Sequence, residues 1–227
     1  MQPLKITAEL ANFRLSSIEK SLPLDGPLAW ARIREMDIDR AYNASYGSPD
    51  WIDVDISDAL KPVKMRSESF YACSWAVFKP LKEYITYRYR RFNSLLAETY
   101  VDFGKKRGKV ITTGGTFKTW RIPLNVICVE SLTWFCVGDP DRINGLLKSI
   151  NYIGSARAAG YGCVDCWKIE PWPYDWSIYG PGGQLMRAIP SPEGDSICAI
   201  KYPYWGTREV RCITPDFSDE LIEVLLS

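Results

Sequence analysis

Apolar and polar residues alternate at the start of the chain. Leu4, Ile6 and Ala8 are separated by Lys5, Thr7 and Glu9, and the period of two predicts a half-buried strand over Pro3–Leu10. A Ser/Pro-containing loop follows, and then Leu28, Ala31 and Ile33 recur at helical spacing. Asp25 stands ahead of them as a cap and Pro27 in the first turn, so a helix is expected over Leu24–Arg34. A loop rich in Asp, Ser, Gly and Pro runs over residues 37–62, with Trp51 and Ile52 expected to pack on the domain. Ser69–Phe78 is a strand candidate, and Glu83–Phe92 alternates more clearly. There Tyr84, Thr86, Arg88 and Arg90 share one face, and Ile85, Tyr87, Tyr89 and Arg91 share the other. A strand that only closed a core would not carry Tyr or Arg on both faces.

Leu124–Val137 predicts one strand, bending near Glu130. Asp139 and Pro140 then form a helix start. Ile143, Leu146, Leu147 and Ile150 carry that helix to about Tyr152. The glycine-containing segment Ile153–Gly162 connects it to a strand over Cys163–Ile169. The remainder is punctuated by Pro, Trp and Gly, with strands expected near Leu185–Ile189 and Ile197–Lys201 and a short helix capped near Ser218. Strand–helix, a strand-rich insertion, then strand–helix–loop–strand predicts an α+β fold: an RRM-like (ferredoxin-like) antiparallel sheet with a basic β-hairpin insertion and a glycine-rich loop. One domain is expected over residues 1–170, with a basic arm at about 82–121. A Trp/Pro-rich extension over 171–227 would pack on the same domain.

Composition narrows the chemistry. The 227 residues are 46% hydrophobic and 24% charged, which fits a globular chain. There is no histidine, so Ser-His-Asp and Cys-His catalysis and histidine-ligated metal are excluded. Seven cysteines without an apolar signal segment at Met1–Leu10 predict reduced thiols in a cytoplasmic protein. The apolar run Val126–Gly138 is too short to span a bilayer, and no membrane partner is expected.

The net charge of +1 hides an uneven distribution. Residues 82–121 hold ten basic side chains against three acidic ones, a net of +7, while the rest of the chain carries −6. Lys82, Arg88, Arg90, Arg91, Lys105, Lys106, Arg107, Lys109, Lys118 and Arg121 supply cations for phosphates, and Tyr87 and Tyr89 supply flat faces for bases. The bland alternative is a solvated hairpin. The loop holding Gly154, Ser155, Arg157, Gly160 and Gly162 could offer backbone N–H groups and a guanidinium to phosphate. Its alternative is a tight connection in which glycines only make the turn. The loop follows a helix and precedes a strand, the reverse of the common nucleotide-binding loops.

Three other features are weaker. Cys163 and Cys166 have the spacing of half a zinc site, without a second pair or a histidine, and read as ordinary cysteines. Asp50, Asp53, Asp55 and Asp58 lack the pattern of a calcium loop and read as a solvated acidic stretch. Neither a metal nor a cofactor is expected. Trp167, Trp172 and Trp176 suit either base stacking or a satellite core or subunit interface.

Ile153-Gly154-x-x-Arg157-x-x-Gly160-Tyr161-Gly162-x-Val164, after a helix carrying Leu146-Leu147, resembles the glycine-rich loop of the RAMP superfamily of CRISPR-associated proteins. Leu4–Leu10 followed by Leu24–Ala29 resembles that superfamily's first strand and helix. Within it the chain most resembles the fifth Cas family in its type IV form, over about residues 1–40 and 118–170. The resemblance implies an RRM-like fold that grips the 5′ handle of a CRISPR RNA in a type IV effector complex. It also implies packing against a repeated backbone subunit and a large subunit, with target DNA as a further partner. By position and charge, the basic arm would be the family's thumb-like hairpin. The lack of histidine departs from the RNA-cleaving members and favours a non-catalytic scaffold. A metal-independent ribonuclease that processes repeat RNA is the rival, and an adaptor for acidic partners a third reading.

Overall fold

A computed structural model describes residues 1–17, 21–36, 54–93, 113, 118–204 and 209–226. Among them are eleven strands and three α-helices, and all pairings between these strands are antiparallel. The fold is mixed α/β and mostly strand. β1 (Gln2–Leu10) is the middle of one sheet, β2 (Arg14–Ser16) lies just beyond it, and α1 spans Asp25–Met36. The alternation in β1 is realised as written, with Leu4, Ile6, Ala8 and Leu10 buried.

Next come β3 (Pro62–Met65), β4 (Glu68–Tyr71), β5 (Lys82–Arg90), β6 (Trp120–Cys128) and β7 (Ser131–Gly138). α2 (Pro140–Leu147) precedes β8 (Val164–Pro171). β1 lies between β7 and β8, with Ile6 opposite both Trp134 and Ile169. Leu132–Val137 are all buried, because β7 is covered on both faces. One face packs into the main core with α1 and α2. The other packs Phe135 against Val77, Met186 and the C-terminal helix.

The single strand expected over Leu124–Val137 is two strands in different sheets. Val129 N–H donates to Phe13 O at 2.9 Å and Leu10 N–H donates to Glu130 O at 2.8 Å, so the chain turns from β6, beside β2, to β7, beside β1. The candidate strand Ser69–Phe78 pairs regularly only within β4. Beyond it the chain follows β7 through isolated bridges at Cys73–Cys136 and Val77–Thr133.

Asp139 caps α2 by accepting from Arg142 N–H at 2.9 Å. The helix ends at Leu147, five residues short of the expected end. The N–H groups of Ser149 and Ile150 bond back three residues, tightening the chain so that Ile150 and Ile153 enter the core before the glycine loop. α1 and α2 are cross-linked on their outer side, where Arg142 reaches Glu35 at 2.6 Å and Asp58 at 2.7 Å.

The C-terminal segment adds β9 (Ile189–Pro190), β10 (Ser196–Ala199), β11 (Glu209–Ile213) and α3 (Asp219–Leu226), the sheet running β10–β11–β9. The expected strands are shorter here because each pairs only over a few residues of β11, a strand the pattern did not indicate. Ser218 caps α3, its Oγ accepting from Leu221 N–H at 3.3 Å. The expectation that every cysteine is a thiol is corrected for one pair: β10 and β11 bring Cys198 and Cys212 together as a disulfide. Among the described residues no helix is long and apolar enough to cross a membrane.

Candidate nucleic-acid interface

The loop between α2 and β8 is built by close approach. Gly154, Gly160 and Gly162 have φ of 77°, 82° and 65°, and Ala156 joins them at 54°. A Cβ on Gly154 would stand 2.7 Å from Ser16 O, and one on Gly162 would stand 1.9 Å from Ile153 O. Gly160 has nothing within 4 Å of such an atom and is needed for its backbone conformation alone.

The loop's amides are partly spent inside the protein. Ser155 N–H donates to Ser16 O at 2.7 Å, Gly162 N–H to Arg14 O at 2.7 Å, and Gly160 N–H to Arg157 O at 2.9 Å. Those three groups, which the sequence offered to phosphate, serve the fold. Ser155 Oγ also donates to Ser16 O. What the loop presents outward is the turn 157–160, with an exposed Arg157.

Arg157 stands at a cleft of about 750 Å³. Trp134 and Ile153 line it, together with Gly26 and Trp30 of α1 and Tyr202 and Tyr204 from the C-terminal segment. The guanidinium carbons of Arg157 and Arg34 lie 5.3 Å and 4.8 Å from the Trp30 ring centroid. Burial pushes the Tyr202 hydroxyl above its ordinary pKa, with the Arg157 charge pulling the other way. A cleft with aromatic walls and a guanidinium at its edge suits a planar ring attached to a phosphate. Sequence reasoning missed Trp30 and Arg34. Their i, i+4 spacing on one helix face was the available signal.

The second surface is the β5–β6 ladder, in register from Lys82–Cys128 to Arg90–Trp120. Ile85, Tyr87 and Tyr89 are 61%, 46% and 66% exposed. Arg121 lies opposite Tyr89 and sets its guanidinium carbon 3.6 Å from the Tyr87 ring centroid, while Arg91 lies over Tyr89 at 5.8 Å. Arg88 and Arg90 project from the other face and are also exposed. Lys105, Lys106, Arg107 and Lys109 lie outside the described residues.

β2 joins the two surfaces. Arg14–Ser16 pair with Val126–Cys128 of β6, while Arg14 and Ser16 give their carbonyls to the glycine loop. Beside this junction Asn12 Nδ2 donates to Gly160 O at 2.6 Å, Arg14 lies over Tyr161 at 5.7 Å, and Phe13 is 53% exposed with φ of 51°. No spacing in the sequence marks this group, because the contacts span about 150 residues.

The weaker candidates separate. Cys166 Sγ–H donates to Glu9 Oε2 at 2.9 Å, which pushes the thiol pKa up, whereas Cys163 is paired through its backbone with Tyr152. Glu9, Asp165 and Cys166 bring donor atoms within 4.8 Å, with Glu9 already held by Cys166 and Lys168. Trp172 and Trp176 pack on Phe135, and Trp167 donates to Ile150 O at 3.1 Å, so all three serve the core. Asp55 accepts from Ser57 N–H and Asp58 pairs with arginines. Asp50 and Asp53 lie outside the described residues.

Residues 2–214 match the family described as CRISPR type IV associated protein Csf3. No curated protein matches the chain.

Proposed function

Because the chain belongs to the Csf3 family of CRISPR type IV associated proteins, we propose that it holds the 5′ handle of a CRISPR RNA as a non-catalytic scaffold subunit. Membership makes it a type IV CRISPR effector-associated subunit. The observation that carries the finer reading is the β2 junction. One three-residue strand holds the glycine loop with Arg157 by its carbonyls and pairs with the ladder that displays Tyr87, Tyr89 and Arg121. Phosphates and unstacked bases need cations and flat faces near each other, and this arrangement offers both.

Topology supports an RRM-like core of RAMP type. β1 sits between β8 and β7, segment 73–77 lies beyond β7, α1 follows the first strands and α2 connects β7 to β8. That order agrees with the ferredoxin-like reading. The missing histidine supports a scaffold over a nuclease. In this reading a repeated backbone subunit and a large subunit are the protein partners, and target DNA is a further one.

The test is to purify the protein with its CRISPR array expressed. A discrete small RNA should co-purify, remain intact on a denaturing gel with or without divalent metal, and be lost in Arg157→Ala without a matching fall in Tm. Multiple-turnover cleavage would favour the ribonuclease. Equal RNA in wild type and Arg157→Ala would remove the cleft from the site.

A further inference from the structure

The C-terminal part of the cleft lining is fixed by a buried charged cluster that the glycine loop and ladder do not use. Asp25, the first residue of α1, is fully buried. Tyr204 Oη donates to its Oδ1 at 2.5 Å, and Arg187, 1% exposed, lies 3.9 Å from its Oδ2. The same guanidinium donates to the carbonyls of Tyr71, of Cys73 at 3.1 Å and of Ile200 at 2.5 Å. Burial, followed by the Asp25 charge, holds the Tyr204 hydroxyl well above its ordinary pKa, so it stays a proton donor.

Both Arg187 and Tyr204 come from the C-terminal segment, and what they grip leads to two parts of the cleft lining. Asp25 opens the helix that carries Trp30. Ile200 leads into Tyr202 and Tyr204, which line the same cleft. The Tyr204 ring also packs on Gly26, where a Cβ would stand 3.4 Å from it. Burying these charges is costly, and an apolar contact of similar size would attach the segment at less expense. A hydrogen-bonded cluster adds direction, setting how the C-terminal lining sits against α1 as well as joining them.

We infer that Tyr204 and Arg187 are positioning residues for the cleft, so that the C-terminal segment is a working part of the RNA site. This rests on the RNA reading of the cleft. Neither residue is placed against RNA; each acts by holding Tyr202 and Trp30 at a fixed separation.

The experiment uses the full chain and a fluorescein-labelled single-stranded RNA of the CRISPR repeat, at a temperature where every variant is folded by circular dichroism. Tyr204→Phe removes one hydroxyl. Arg187→Lys keeps the charge and loses the planar fork. Each should weaken the Kd about tenfold, through displaced lining residues and not through the lost bond itself, which free and bound protein share. Each should also reduce the RNA-induced quenching of tryptophan fluorescence, a signal that lower stability alone would leave unchanged in folded protein. Wild-type Kd and quenching in Tyr204→Phe, with only an earlier melt, would overturn the inference and reduce the cluster to a fold element. Arg157→Ala, measured alongside, separates the two levels: a loss there with Tyr204→Phe unaffected refutes positioning alone. Wild-type binding by Arg157→Ala refutes the RNA reading and the inference together.

Discussion

Ile153 and Gly162 close the glycine loop on itself. Ile153 N–H donates to Gly162 O at 2.9 Å, and the Ile153 carbonyl occupies the space where any side chain on Gly162 would begin. Gly162 also gives its own N–H to Arg14 O, so this one residue ties the loop's ends to each other and to β2.

Gly162→Ala should therefore cost far more than Gly160→Ala. Both positions have positive φ, which costs an alanine about 1–2 kcal/mol. Only at Gly162 does the added carbon meet backbone, 1.9 Å away, and a loss above about 4 kcal/mol or failure to fold is expected there. Urea unfolding of the two variants decides it. Equal midpoints would mean that close approach does not select the glycine.

The ladder separates charge from stacking. Arg121→Ala should reduce the salt slope of RNA binding by about one, as for the loss of a single phosphate contact. Tyr87→Ala should weaken binding by about 1–3 kcal/mol with the slope unchanged. Titrations at several salt concentrations measure both. A Tyr87→Ala protein with wild-type affinity would take that ring out of the site.

Some of this was legible because it is local. Leu4, Ile6 and Ala8 declare β1 by their period, and Asp139-Pro140 declares the start of α2 by its cap. Arg121 and Tyr87 were legible as residue types, but their contact needed the register that sets β6 against β5. The break between β6 and β7 was not legible, since Phe13 and Leu10 impose it from more than a hundred residues away. The three residues of β2 are too few for any period to appear, although they join the glycine loop to the ladder. Gly154 was recognisable as special. What it makes room for, the carbonyl of Ser16, was not.

The helix cross-link should respond to acid. The Arg142 bond, aided by Arg32, holds the Glu35 carboxyl below its ordinary pKa. A depressed folded pKa gives stability that is complete above the unfolded value, near 4.3, and is lost as pH falls through the folded one. At pH 7, Glu35→Gln should be less stable than wild type by about 1 kcal/mol or less, because the pair is largely solvated. The two melting curves should converge in acid, and a gap that persists there would mean the charge is not its source.

Thiol chemistry should divide the cysteines by burial. Burial, with the Asp25 charge second, pushes the Cys73 thiol up to about 12, and burial pushes Cys136 well above its ordinary range. Both should resist iodoacetamide at pH 8 in folded protein and react after unfolding, as mapped by mass spectrometry. Prompt native labelling of Cys73 would show that the cluster around Arg187 opens readily.

The placement of β1 sets a timetable for synthesis. Both partners of the strand, Ser131–Gly138 and Val164–Pro171, are made more than a hundred residues after it. At about 5–20 residues per second, the nascent strand waits on the order of 10–30 s with both hydrogen-bonding edges unpaired. The central sheet can be completed only once Val164–Pro171 has been made, and until then the unpaired edges of β1 are open to pairing with other chains.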